Sequence, residues 1–259
     1  MKMLHAAFVA AALAAAAQHA SASVVITEVD PYGSNGSDGY SADWFELTNT
    51  GTAAVSVAGW TMIDNHAASN TSTPYATGAT ISIGNTKDTP AALTLANGQT
   101  TLGAGQSAVF LESPNSAASS AALIAAFETA WFGSKVPSGL LVGTYDDGSG
   151  ATFGLSQTAD MVNIFNGSSG SSSLVASVVF GADGDTPVST FDNAAGLNDT
   201  TLTLKSAAGV NGAFVSASGL EVGSPGVVPL PDTSVLLLSG LGALGLFTIA
   251  RKKLPTLIG

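Results

Sequence analysis

Cysteine is missing from the 259 residues, and arginine occurs once, at Arg251. The first absence excludes disulfides, thiolate catalysis and thiolate metal sites together. The second belongs to a wider shortage of positive charge. Between residues 23 and 228 only Lys87, Lys135 and Lys205 oppose 17 of the 18 acidic residues, a net charge of −14. Such a surface repels phosphate backbones and has no cations with which to displace their counterions, so nucleic acid is not an expected partner. Histidine is scarce as well. His5 and His19 fall in an N-terminal leader, which leaves His66 in the polar run "DNHAASN". A Ser-His-Asp site could use only that residue, and no G-x-S-x-G elbow, H-E-x-x-H or G-x-x-x-x-G-K-[ST] pattern accompanies it. The acids cluster in Gly/Ser/Asn-rich turns, where aspartate is an ordinary turn former. The expectation is a protein that is not an enzyme.

What is present divides the chain into five parts. Residues 1–22 read as a secretory signal peptide: Lys2 supplies the positive start, Ala6 to Ala17 the apolar core, and Ala20-Ser21-Ala22 the A-x-A cleavage site. A body follows over 23–226 and a proline-marked linker over 227–234. Residues 235–250, "VLLLSGLGALGLFTIA", carry no charge and precede Arg251-Lys252-Lys253 in the basic tail 251–259. At about 1.5 Å per residue the run spans roughly 24 Å, a little short of a ~30 Å hydrocarbon core. It is expected to be a transmembrane helix whose basic end stays cytoplasmic while the body is exported. Gly240, Gly242 and Gly245 happen to fit G-x-G-x-x-G, yet inside an uncharged run they read as the small residues of a membrane helix and not as a dinucleotide loop.

Val228-Pro229-Leu230-Pro231, the short apolar run and Arg251, Lys252 and Lys253 together resemble the PEP-CTERM sorting signal of Gram-negative bacteria, with Leu230 where that motif usually has glutamate. The resemblance implies processing by an exosortase, a transient stay in the inner membrane, and release to the cell surface or the extracellular space.

The body reads as short strands separated by turns: 24–29, 43–49, 54–63, 79–83, 92–96, 107–113, 160–165, 174–180 and 200–205. Alternation is clearest in 43–49, where Phe45 and Leu47 share one face and Trp44 and Glu46 the other. Asn97-Gly98, Asn166-Gly167 and Asn211-Gly212 are hairpin signals, because type I′ turns need positive φ. One insertion, 119–133, places Leu123, Ile124, Phe127 and Trp131 at helical spacing, a stripe expected to pack on the sheet. Many short strands without a βαβ rhythm predict an all-β sandwich with a helical insertion.

The order of motifs then resembles the lamin-tail domain. Ile26, Glu28 and Val29 fit its first strand. Asp43, Trp44, Glu46, Leu47 and Asn49 fit its Asp-Trp-x-Glu-Leu-x-Asn, and Gly59, Trp60 and Asp64 follow at the next places. Segments 102–112 and 154–170 continue the pattern, and "GSPG" at 223–226 resembles its closing Gly-x-Pro-Gly. The resemblance implies an immunoglobulin-like sandwich and an interaction module.

Two binding chemistries compete with a purely structural role. Asp183, Asp185, Asp192 and Asn193 in "GADGDTPVSTFDN" could supply several of the six to eight oxygens calcium wants, with 30–39 and 146–148 as further acidic loops. Alternating Asp and Gly is also plain turn chemistry, and that reading is preferred. Tyr32, Tyr40, Tyr75 and Tyr145, read as loop residues, could stack on sugars such as those of an exopolysaccharide. The leading expectation is a secreted or surface-displayed non-catalytic structural protein, associated with extracellular matrix and needing no cofactor. The alternative is a calcium- or carbohydrate-binding module.

Overall fold

A computed structural model describes residues 23–33, 39–64, 80–82, 90–113, 117–146, 154–167, 171–182 and 187–227. The leader with Ala20 and Ala22, His66, Tyr75, Asp183 and Asp185, and everything from Val228 onward lie outside these residues. Among the described residues no helix is long and apolar enough to cross a membrane; the run 235–250 is not among them.

Sixteen strands are described: β1 (Val24–Asp30), β2 (Trp44–Asn49), β3 (Val55–Ser56), β4 (Thr61–Ile63), β5 (Thr80–Ser82), β6 (Ala91–Leu95), β7 (Thr101–Leu102), β8 (Ser107–Glu112), β9 (Leu141–Asp146), β10 (Asp160–Phe165), β11 (Ser171–Phe180), β12 (Val188–Ser189), β13 (Phe191–Asp192), β14 (Thr200–Leu202), β15 (Phe214–Val215) and β16 (Glu221–Gly223). The main sheet runs β13-β1-β2-β8-β9-β6-β4-β10-β11-β14, with β5 also on β11. Its two edges belong to neighbouring stretches of chain. Segment 191–205 is joined to itself by Phe191 opposite Lys205, to β1 by Asn193 N–H on Thr27 O (2.9 Å), and to β11 by Asp199 N–H on Ser177 O (2.9 Å). The sheet thereby folds over and is stitched shut, which leaves few open edges.

Inside the fold lies one apolar cluster that includes Ile26, Val29, Phe45, Leu47, Trp60, Met62, Phe110, Tyr145, Val162, Ile164, Val178 and Phe180. Its members come from alternate strand positions, as period-2 geometry requires. Phe45 stacks on Phe110 at 5.6 Å and lies 5.3 Å from Tyr145. Trp44 faces the other way, as the alternation in 43–49 predicts. It joins Tyr40, Val109, Leu111, Val142, Phe127 and Trp131 in a second cluster on the outer face of β2, β8 and β9.

The helix Ala117–Phe132 covers that outer face. Its stripe packs as expected: Phe127 and Trp131 are fully buried, and Leu123 and Ile124 lie against the same cluster. Gly133, at φ +60°, ends it.

Three expectations need correction. Residues 54–63 are not one strand: Gly59 takes φ +76°, a turn separates β3 from β4, and β3 pairs with β7 in a sheet of its own. The domain also contains a crossover, because β8, the helix and β9 connect two parallel neighbours. Strand β9 escaped the sequence reading because Gly143 sits in its middle. A Cβ there would stand 2.5 Å from Thr94 O and 3.1 Å from the Phe110 ring, so close packing against a neighbouring strand forces a residue of poor strand propensity. Among the Asn-Gly pairs, Asn97-Gly98 and Asn211-Gly212 have positive φ at both residues. Asn97-Gly98 nevertheless links β6 to β7, and Asn211-Gly212 lies between β14 and β15; in neither case do the two strands pair with each other. Asn166-Gly167 opens the β10–β11 hairpin, whose loop is longer than two residues.

Candidate functional site

Strand β1 carries the decisive irregularity. Strict alternation from Ile26 would point Glu28 into the apolar interior. Instead Ile26 pairs with Leu47 and Glu28 with Glu46, so Thr27 is an extra residue in a bulge. The parity shift turns Glu28 to the outer face while Val29 returns to the core. Glu28 and Glu46 therefore stand directly opposite each other on adjacent strands, where like charges destabilise a pair. Both are buried, at 1% exposure each.

Their covering is the last described segment. Ser224 N–H and Oγ–H donate to Glu28 Oε1 (2.7 Å) and Oε2 (3.2 Å). Gly226 N–H donates to Glu46 Oε2 at 2.5 Å. Thr190 donates to Glu28 Oε1, and Ser206 reaches the same oxygen at 3.3 Å. Thr27 donates to Glu46 Oε1 at 2.6 Å and contacts Thr48, which in turn contacts Ser107. Hydroxyls and backbone N–H groups thus satisfy the pair, and among the described residues no lysine or arginine bonds to it. Gly223 must be glycine: a Cβ would lie 2.6 Å from Glu28 Oε1 and 2.9 Å from the Trp131 ring. Strand β16 is pinned further by Tyr40, whose hydroxyl donates to Glu221 Oε1 (2.5 Å) and accepts from Trp44 Nε1 (3.0 Å) and Trp131 Nε1 (3.3 Å).

Burial first, and the neighbouring Glu46 carboxylate second, raise the Glu28 pKa to about 8. Burial raises Glu46 to about 7, against the opposing pull of its bonds from Thr27 and Gly226. Both values lie above the 4.5 of a free glutamate, so between roughly pH 4.5 and 8 the folded chain binds more protons than the unfolded one. Stability is therefore greatest below that window, falls as pH rises through it, and levels off above it. Urea unfolding at pH 5 and pH 8.5 is expected to show a midpoint lower at the higher pH, with a loss on the order of several kcal/mol of stability. Glu28→Gln should reduce the difference and leave the part due to Glu46; an unchanged slope in that variant would assign it to other acids.

A second acidic locus lies at one end of the sheet. Burial, and then the charges of Glu112, Asp43, Asp64 and Asp160, push the Tyr145 hydroxyl well above the usual phenol range. Asp160 is engaged by Ser156 N–H (2.8 Å) and Met161 N–H (2.9 Å). Among the described residues no group of three or more His, Cys, Asp or Glu side chains is placed to hold a metal ion.

Of the candidate calcium ligands, Asp192 and Asn193 are described. Asp192 accepts from Asn211 Nδ2 (3.1 Å), and burial raises its pKa. Asn193 gives Nδ2 to Ile26 O and Leu197 O (2.7 Å each) and accepts from Leu197 N–H through Oδ1, so its amide organises the turn that closes the sheet. Tyr40 and Tyr145 are not exposed loop aromatics. Both are buried, and Tyr145 belongs to β9. Tyr32 is half-exposed in its loop, where its N–H donates to Asp30 Oδ1. Sequence reasoning missed Thr190, Ser206 and Glu221, which come from distant stretches with no shared spacing, and named Tyr40 only as a sugar-stacking candidate. It did single out Glu28, Glu46 and 223–226, but as separate motifs.

Buried under 223–226, the pair joins the two ends of the domain. The motifs that brought these residues to notice are thus parts of one junction. The family model described as the lamin tail domain matches residues 17–209, which takes in both glutamates and stops short of the closing segment. No curated protein and no solved structure matches the chain. A match over most of the chain, on a mostly β, immunoglobulin-like fold, places this protein in the lamin-tail domain family, whose domains are non-catalytic.

Proposed function

We propose that the chain is an exported, non-catalytic structural or interaction module, carried to the cell surface or extracellular matrix by a PEP-CTERM-like tail. The observation that carries the non-catalytic part is the use of the residues that fit the lamin-tail motifs: Glu28, Glu46 and Asn49 hold the fold together. Asn49 gives Nδ2 to Ala53 O, Leu102 O and Gly103 O, and accepts from Gly51 N–H. The acidic body supplies a soluble, extended negative surface suited to an exported protein.

The sorting part rests on sequence. Val228–Pro231 follow the closing segment directly, the apolar run 235–250 is marginal in length for a span, and Arg251 to Lys253 form a basic stop. An exosortase-type enzyme would cut near Val228 to Pro231 while the tail sits in the inner membrane. All the contacts described above lie on the N-terminal side of that cut, so the mature domain would keep them. Intact mass of the protein recovered from the producing cell tests this. The expected mature species ends near 228–231, and deleting Arg251 to Lys253 should abolish the cut. A mature chain that still contains "RKKLPTLIG" would show a plain membrane anchor instead.

A further inference from the structure

The junction between Glu28, Glu46 and the closing segment has the parts of a switch. Strand β16 is held in its small sheet by only a few register pairs: Glu221 and Val222 lie opposite Val188 and Ser189 of β12, and Val222 and Gly223 opposite Val215 and Phe214 of β15. Ser216 Oγ also accepts from Glu221 N–H, and Thr190 reaches Val222 O. Three further bonds, one at Glu221 and two beyond β16, are made to carboxyl groups: Tyr40 to Glu221, Ser224 to Glu28 and Gly226 to Glu46. Docking therefore depends on what those carboxyls carry. Two full charges opposed across adjacent strands, under a cover that excludes water, repel each other with little screening. Lifting the cover exposes both to water without breaking the main sheet, to which β16 does not belong.

We propose that segment Glu221–Gly226 is a charge-operated latch, docked while the two glutamates beneath it carry at most one negative charge between them and lifted when both are ionised. The surroundings favour release over compensation. Asp30 follows in β1, Asp192 faces Glu28 from β13, and Glu221 belongs to the latch itself. Each adds negative charge or none. From β8 comes the neutral Ser107, and the helix offers Trp131, with Glu128 one turn away. Lys205 lies with Nζ 3.6 Å above the Phe191 ring and donates to Ser189 O. Lifting would free the chain as far as Gly226, and the latch does not depend on the residues beyond being a sorting signal.

The test is hydrogen exchange on the full-length chain in mild detergent, at pH 6 and pH 9, with rates corrected for intrinsic exchange. Protection of the Ser224 and Gly226 amides is expected to fall at least tenfold at pH 9, while that of β10 amides such as Val162 holds. In the Glu28→Gln/Glu46→Gln variant the fall should vanish. Equal protection at both pH values overturns the latch. So does a fall shared by β10, which would be global unfolding, or a fall that persists in the double variant. If the double variant does not fold, carbon-13 titration of the wild-type glutamate carboxyls decides. Their second ionisation should coincide with the loss of protection, and midpoints more than one pH unit apart overturn the proposal.

Discussion

Trp131→Ala is expected to destabilise the domain by about 4 kcal/mol. The indole is 1% exposed and sits where three layers meet. It packs edge-on against Trp44 of β2 at 5.7 Å and 87°, and against Phe214 of β15 at 5.7 Å and 83°. Its Nε1 donates to the Tyr40 hydroxyl that in turn holds Glu221. Its backbone carbonyl accepts from Ala217 N–H, so the end of the helix and the approach to β16 share one anchor. Truncation leaves a large cavity beneath both. Trp131→Phe keeps most of the packing and loses the bond to Tyr40, and should cost about 1–2 kcal/mol. Urea denaturation followed by circular dichroism measures both. A loss below about 1 kcal/mol for the alanine variant would mean that helix and sheet hold without this anchor.

Gly223→Ala is expected to cost about 3 kcal/mol although it adds one methyl group. That methyl would lie 2.6 Å from Glu28 Oε1, 2.9 Å from Trp131 and 3.0 Å from Thr190. None of the three can retreat freely, since the carboxyl is fixed by four donors, and the indole and the threonine are buried. Strand β16 would have to move out, stretching the bonds from Ser224 and Gly226. Gly219→Ala provides the contrast. Gly219 has φ +78° with nothing within 4 Å of a Cβ, so only backbone strain of about 1 kcal/mol applies. Equal melting temperatures for the two variants would show that crowding at Gly223 is relieved by local adjustment.

How much of this was legible beforehand depends on distance along the chain. The strand faces of 43–49 could be read because alternation is local, and the helical stripe of Phe127 and Trp131 because helical spacing is local too. Strand β9 could not, since Gly143 answers to Phe110 and Thr94 across the sheet and not to its own neighbours. The side to which Glu28 points was hidden by a bulge at Thr27, which shows only once β1 is set against β2. Tyr40 keeps its loop and Tyr145 lies in a strand, yet both are buried by partners far off in sequence that local reading cannot see; Tyr40 bonds to a residue 181 positions away. The glutamates and 223–226 stood out as motifs, but spacing alone cannot say that one covers the other.

The bond from Ser224 to Glu28 spans 196 positions, and that from Gly226 to Glu46 spans 180. Each closes a loop nearly as long as the domain, and such contacts form late because chain entropy must be spent before they give anything back. The carboxyl pair is thus the last place to become dry. A nascent chain lacking residues 221–226 presents two hydrated, ionised glutamates on an open outer face, and folding cannot finish until those residues arrive. Under the export proposed above, this delay would be useful: completion of the domain waits on nearly its whole length having emerged.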